Sequence, residues 1–151
     1  MALFVGTHEN KIDRKGRVSL PADFRAELPK SDDRVVYIFP SLYTSALEAC
    51  DRAALEQHAA RINAFDQFSQ EEAYFSSQIL AEARKISIDG DGRIVLPGDL
   101  ISHAGIDGKA LFVGGGPKFH IWQPAAYEEH RRVTQHALAG RTLPSRPGPA
   151  S

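Results

Sequence analysis

Two stretches of this chain carry the side chains most capable of chemistry. The first, KIDRKGR, spans Lys11 to Arg17, and the second, SIDGDGR, spans Ser87 to Arg93. The first sets Lys11, Arg14, Lys15 and Arg17 against Asp13, four cations and one anion, for a local charge of +3. The second sets Arg93 against Asp89 and Asp91, for −1. Several cations on a short turn project together toward a partner, and phosphate is the partner they suit. The plainer reading is a solvated turn in which Arg17 and Arg93 pair with Asp13 and Asp89.

Other candidates fall away on spacing. Asp89 and Asp91 match the first two ligands of a calcium loop, but Arg93, Ile94 and Leu100 occupy positions that need oxygen donors or glycine. The run VGGGPK, Val113 to Lys118, lacks the glycine-to-lysine spacing of a phosphate-binding loop and reads as a bend between strands. None of the six histidines forms a pair four residues apart on one helical face; His130 and His136 are six apart. Cys50 reads as a small core filler. No metal ligands, cofactor site or catalytic residues are expected.

The elements that must hold the two turns are themselves repeated. DRKGRVSLPADFR, from Asp13, aligns with DGDGRIVLPGDLI, from Asp89, with Asp, Gly, Arg, Leu, Pro and Asp repeated in place. Such internal similarity marks a duplicated structural unit. Asp at the first and Gly at the fourth position of each turn favour a type I turn closed by a left-handed glycine, so NKI and RVSL read as a hairpin. Pro21 and Pro97 then open short helices. RVVYIF and TSALEA read as strands in the first copy, and RKISI, RIVL, KALFVG and KFHIW in the second.

Between the copies, Leu55, Ala59, Ile62 and Phe65 recur at helical spacing, and Ser69 with Glu72 forms a capping box for a second helix. PAAYEEHRRVTQHAL reads as a last helix opening on Pro124. The expected organisation is a first repeat over 7–54, linking helices over 55–82, a second repeat over 83–126, a C-terminal helix over 127–139 and a disordered tail over 140–151. The fold class is mainly β with α, that is α+β. Neither repeat has enough apolar surface to fold alone, so the two should bury their faces together as a pseudo-twofold domain.

A length of 151 residues, 42% hydrophobic and 25% charged, suits a soluble globular domain, and its net charge of −1 points to no nucleic acid globally. A single cysteine excludes an internal disulfide and suits a reducing compartment. No signal peptide and no membrane span is legible. A cytoplasmic protein is expected.

The paired Asp-x-x-Gly-Arg turns, each followed by Val-x-Leu-Pro or its equivalent and a short helix, resemble the MraZ family, in which two SpoVT-AbrB half-domains share one chain. The resemblance spans about residues 2–138 and includes Phe4–Gly6, Leu20–Arg25, His103–Gly105 and Lys118–Trp122. It implies a swapped-hairpin, AbrB-type, double-ψ-like β-barrel. It also implies a ring-shaped homo-oligomer, associated with the nucleoid, that binds tandem promoter repeats in double-stranded DNA and regulates the division and cell-wall gene cluster. Arg17 and Lys15 would make the critical DNA contacts, Lys11 and Arg14 would add phosphate attraction, and Asp13 and Gly16 would hold the turn. Asp89, Gly92 and Arg93 would be the structural counterparts in the second copy, where Gly90 and Asp91 make the loop acidic. An AbrB-like antitoxin or a global transition-state regulator is the alternative, and no small-molecule substrate or membrane partner is implied.

Overall fold

The computed structural model describes residues 2–31 and 33–145. The first copy supplies β1 (Thr7–Lys11), β2 (Arg17–Ser19), α1 (Ala22–Glu27), β3 (Val35–Pro40) and β4 (Leu47–Cys50). Two helices follow, α2 (Arg52–Asn63) and α3 (Gln70–Phe75), and α3 runs into a π-helical segment, Ser76–Ala81. The second copy supplies β5 (Arg84–Ser87), β6 (Arg93–Val95), α4 (Gly98–Ala104), β7 (Lys109–Gly114) and β8 (Lys118–Trp122), and the chain continues into α5 (Pro124–Ala137). The class is α+β with antiparallel pairing throughout.

One six-stranded sheet has the order β1-β7-β8-β4-β3-β5, and β2 pairs with β6 in a two-stranded ribbon. The order is a palindrome in the repeat. Exchanging each strand for its counterpart maps β1-β7-β8 onto β5-β3-β4, and the pseudo-twofold passes between β8 and β4 and between β2 and β6. Four of the six pairings therefore join one copy to the other. They include Val18 opposite Ile94 in the ribbon and Leu47 opposite Ile121 at the sheet centre.

This corrects the expected hairpin of NKI with RVSL. The turn closes, but β1 and β2 share only the bridge between Ile12 and Val18, and then β1 continues along β7 and β2 along β6. The physical reason is burial. A three-residue strand such as β2 places one side chain inward, Val18, and the second copy supplies the apolar surface that covers it.

The shared core contains Phe4, Val18, Phe24, Ile94, Leu100, Phe112 and Phe119, drawn from both copies. Phe4, Phe24 and Phe119 meet with ring centroids 4.9–5.4 Å apart, edge-on or tilted. A smaller cluster of Phe39, Cys50, Ile62 and Ile79 joins α2 and the π-helical segment to the outer side of the sheet. Burial pushes the Cys50 thiol up to about 12, with Asp51 and Glu48 adding to the effect, so it stays a protonated filler at neutral pH.

Helix ends follow their local chemistry. Asp51 caps α2 by accepting from the Ala54 N–H at 2.9 Å, and Ser69 caps α3 by accepting from the Glu72 N–H at 3.2 Å. Only that half of the expected capping box forms, because the Ser69 N–H donates instead to the Asp66 carbonyl. Helix α2 begins at Arg52, three residues before the linking span expected from 55, and α5 opens on Pro124 as its sequence indicates, although the C-terminal segment was expected to start at 127. The C-terminal half of α5, from Arg131, is exposed on all sides. Of the tail expected to be disordered, 146–151 lie outside the described residues. Among those described, no helix is long and apolar enough to cross a membrane.

Candidate nucleic-acid interface

The first turn is built around one carboxylate. Asp13 Oδ1 accepts from the backbone N–H of Lys15 at 3.0 Å and of Arg17 at 2.9 Å, while Oδ2 accepts from Arg17 Nε at 2.7 Å. The Gly16 N–H donates to the Asp13 carbonyl at 3.0 Å, and Gly16 has φ +85. That is the Asp-to-Gly turn with a left-handed glycine that the sequence specified. The second turn repeats it, with Asp89 Oδ1 accepting from the N–H of Asp91 and of Arg93, both at 2.9 Å, and Gly92 at φ +78.

Each turn is clamped by the other copy. The Leu96 N–H donates to the Gly16 carbonyl at 2.8 Å, and the Leu20 N–H donates to the Gly92 carbonyl at 3.0 Å. The turn tips thus sit at opposite ends of the β2–β6 ribbon, locked to the strand-to-helix junction of the opposite copy. Hydrogen bonds to the charged form hold both carboxyls below the usual carboxylate range, with the Arg17 backbone N–H first for Asp13 and the Arg93 backbone N–H first for Asp89. A depressed folded-state value contributes stability above the unfolded value, and that contribution is lost as pH falls through the folded value. Both turns should therefore hold at pH 5 and loosen as pH is taken below the ordinary Asp range near 3.8. Amide exchange at Gly16 and Gly92, followed by NMR across that window, should show protection falling at these positions before it falls in β7. Unchanged protection would separate the carboxylates from turn stability.

The predicted DNA-contact residues fall together. Lys11, Arg14, Lys15 and Arg17 are all exposed, and among the described residues Lys11, Arg14 and Lys15 have no carboxylate within 4.0 Å. Arg17 has one, Asp13. Arg93 has two: its Nε lies 3.4 Å from Asp89, and its Nη2 donates to Asp91 at 3.2 Å. Val18 and Ile94 point inward, so Arg17, Ser19, Arg93 and Val95 share the outer face of the ribbon. Its charge runs from strongly basic at the first turn to compensated at the second.

Two cations outside the quoted windows lie beside these turns. Lys109 stands opposite Lys11 across the β1–β7 pairing, with Glu9 at 3.7 Å. Arg25 folds over the second turn, where a β-carbon on Gly92 would fall 1.9 Å from its Nη1. Neither is legible without knowing which strands pair, because both reach the turns only through the other copy.

The run VGGGPK is not a phosphate cradle. The N–H groups of Gly114, Gly115 and Gly116 already donate to the carbonyls of Gly6, Lys118 and Phe4. Among the described residues no cluster of three or more His, Cys, Asp or Glu could hold a metal ion.

The sequence matches the family described as "MraZ protein, putative antitoxin-like" over residues 3–77 and 79–138. The chain belongs to the MraZ family. It is 41% identical over 135 residues to the "Transcriptional regulator MraZ" of Rickettsia akari (strain Hartford), covering 89% of this chain and 91% of that protein. It is 41% identical over 129 residues to the protein of the same name from Pelagibacter ubique (strain HTCC1062), covering 85% and 83%. A third such MraZ, from Rickettsia bellii (strain OSU 85-389), is 40% identical over 126 residues. The MraZ match takes in both turns, so the basic and the compensated turn alike lie within the family's own span.

Proposed function

We propose that this chain is a transcriptional regulator, not an enzyme, and that it binds double-stranded DNA through the first-copy turn. The observation that carries the reading is the rigid Asp13–Arg17 turn, which presents Arg14, Lys15 and Arg17 outward with a single carboxylate among them. Turn rigidity matters because cations fixed before binding lose less freedom on contact. Arg17 and Lys15 make the critical contacts, Lys11 and Arg14 add phosphate attraction, and Asp13 and Gly16 hold the geometry. The interleaved strands support the swapped-hairpin AbrB-type barrel as the architecture behind it. A homo-oligomeric ring on direct promoter repeats of the division and cell-wall cluster completes the reading, which makes the protein cytoplasmic and nucleoid-associated.

The test is a gel shift on the DNA upstream of the protein's own gene, with scrambled DNA as control. Retardation of both to the same extent, or of neither, would defeat the proposal. The family description also carries the word antitoxin, and a toxin-binding role would use the exposed half of α5 and the tail beyond it. Co-purification of an inactivated toxin with truncations after Arg131 separates the two readings.

Two further results are expected. Light scattering coupled to gel filtration should give a particle several times the chain mass of 16.6 kDa, because a ring lets weak loops engage repeated sites at high effective concentration. A monomer at every concentration would remove the ring. Affinity for the operator should fall with salt, at about −0.9 in log–log slope per phosphate neutralised. Two or three engaged turns with about three contacts each give a slope on the order of −5 to −8. A flat response would mean that the turn does not meet the backbone.

A further inference from the structure

The outer face of the sheet carries a second, unrelated constellation. The pairings of β3 with β4 and β4 with β8 set Phe39, Glu48 and His120 in one row and Tyr37, Cys50 and Lys118 in the next. Helix α2 and the π-helical segment cover the Phe39–Cys50 side of these rows through Ile62 and Ile79. Where that cover ends a cavity of about 360 Å³ remains, within the range of small-molecule sites. Ile62, Ile79, Phe65 and Phe75 give it apolar walls, with the two rings stacked parallel, 5.5 Å between centroids.

Glu48, His58, Arg61 and Lys118 add polar groups to the same lining. Glu48 is 8% exposed, a carboxylate buried in a β-strand, and Lys118 Nζ answers it at 3.0 Å. The His58 imidazole, edge-on to Phe39, is held below its ordinary range by burial, so it is neutral at pH 7. Arg61 also lines the cavity, is exposed, and among the described residues has no carboxylate within 4.0 Å. With Lys118 matched to Glu48, Arg61 leaves the cavity a net +1. The Ser76–Ala81 segment adds an independent sign, since π-helical turns are rare and gather at functional sites, and this one supplies Ile79 to the wall.

We propose that this cavity binds a small amphipathic carboxylate, its apolar tail between Phe65, Phe75, Ile62 and Ile79 and its carboxylate on Arg61. Charge selects the head group. Glu48 is already satisfied and repels a second anion placed deeper, so the ligand carboxylate sits at the rim, where the planar guanidinium offers paired donors. The apolar walls reject small hydrophilic anions, which gain nothing by leaving water. None of its lining residues belongs to the basic turn, so the assignment does not rest on the DNA reading.

The probe is octanoate, titrated into the full-length protein by calorimetry and by methyl NMR, with acetate and octanol as controls for tail and head. Octanoate should bind once per chain and shift the Ile62 and Ile79 methyls, acetate should give neither effect, and octanol should bind about tenfold more weakly or worse. Arg61→Gln, on an exposed helix face, should lower octanoate affinity about tenfold while leaving melting temperature and DNA retardation unchanged. Ile79→Trp should fill the cavity and abolish binding; if that variant fails to fold, Arg61→Gln decides alone. No methyl shift with octanoate, equal affinity for octanol, or undiminished octanoate binding by Arg61→Gln would each overturn the assignment.

Discussion

Arg17→Ala should weaken operator binding severely, and Arg93→Ala should leave it within about threefold of the parent, although the two arginines occupy equivalent positions. Losing a charged hydrogen bond costs about 1.5–3 kcal/mol. That is about tenfold or more in affinity for one engaged turn, and the loss recurs at each further turn in an oligomer. Arg93 starts from a different state, because Asp89 and Asp91 both hold its guanidinium and two carboxylates beside it repel phosphate. Neither substitution should unfold its turn, since Asp13 and Asp89 keep their bonds to backbone N–H groups. Melting temperature and gel-filtration position, measured beside affinity, check that premise. Equal loss in two folded variants would make both turns DNA contacts, and normal binding by folded Arg17→Ala would remove the first turn from the mechanism.

The asymmetry was legible in the sequence because it lives in single residues. Asp, Gly and Arg at fixed spacing specify a turn through bonds that reach no further than four residues. Strands β7 and β8 were legible to the residue for a similar reason, being short runs bounded by glycine and proline. β4 was less so. The strand expected from Thr44 begins at Leu47, because the Ser41 and Thr44 hydroxyls accept backbone N–H bonds from Tyr43 and Ala46 and hold a loop there. Partner choice was not legible in the residues themselves, and only the family resemblance implied swapped hairpins. An alternating pattern says which face of a strand is buried and nothing about what covers it, so the pairings of β1 with β7 and β2 with β6 had no local signal. Lys109 and Arg25 escaped notice for that reason, and so did the cavity under α2, which needs β4, β8 and a π-helical turn in one place.

Gly16→Ala should destabilise the protein far more than Gly92→Ala, by about twofold or more in the drop of melting temperature. Both glycines have positive φ, at +85 and +78, and a β-carbon in the left-handed region costs roughly 1–2 kcal/mol at either position. The difference lies in what the new methyl meets. At Gly16 it would fall 2.4 Å from the Leu96 carbonyl oxygen, a backbone atom of the opposite copy fixed next to the Leu96 N–H that bonds Gly16. Relief there requires the β2–β6 ribbon and the turn to part, adding roughly 1–3 kcal/mol of overpacking and loosening the surface that carries Arg17. At Gly92 the obstacle is the flexible Arg25 side chain, which must move from Cδ outward and gives up one bond, from Nη1 to the Leu20 carbonyl at 3.2 Å. Gly16→Ala should accordingly lose operator affinity together with stability, whereas Gly92→Ala should keep most of both. Matched protein concentrations are needed, because assembly contributes to apparent stability. Equal melting temperatures for the two variants would mean that the first turn is not clamped by the second copy, and the account of how Arg17 is held in place would fall with it.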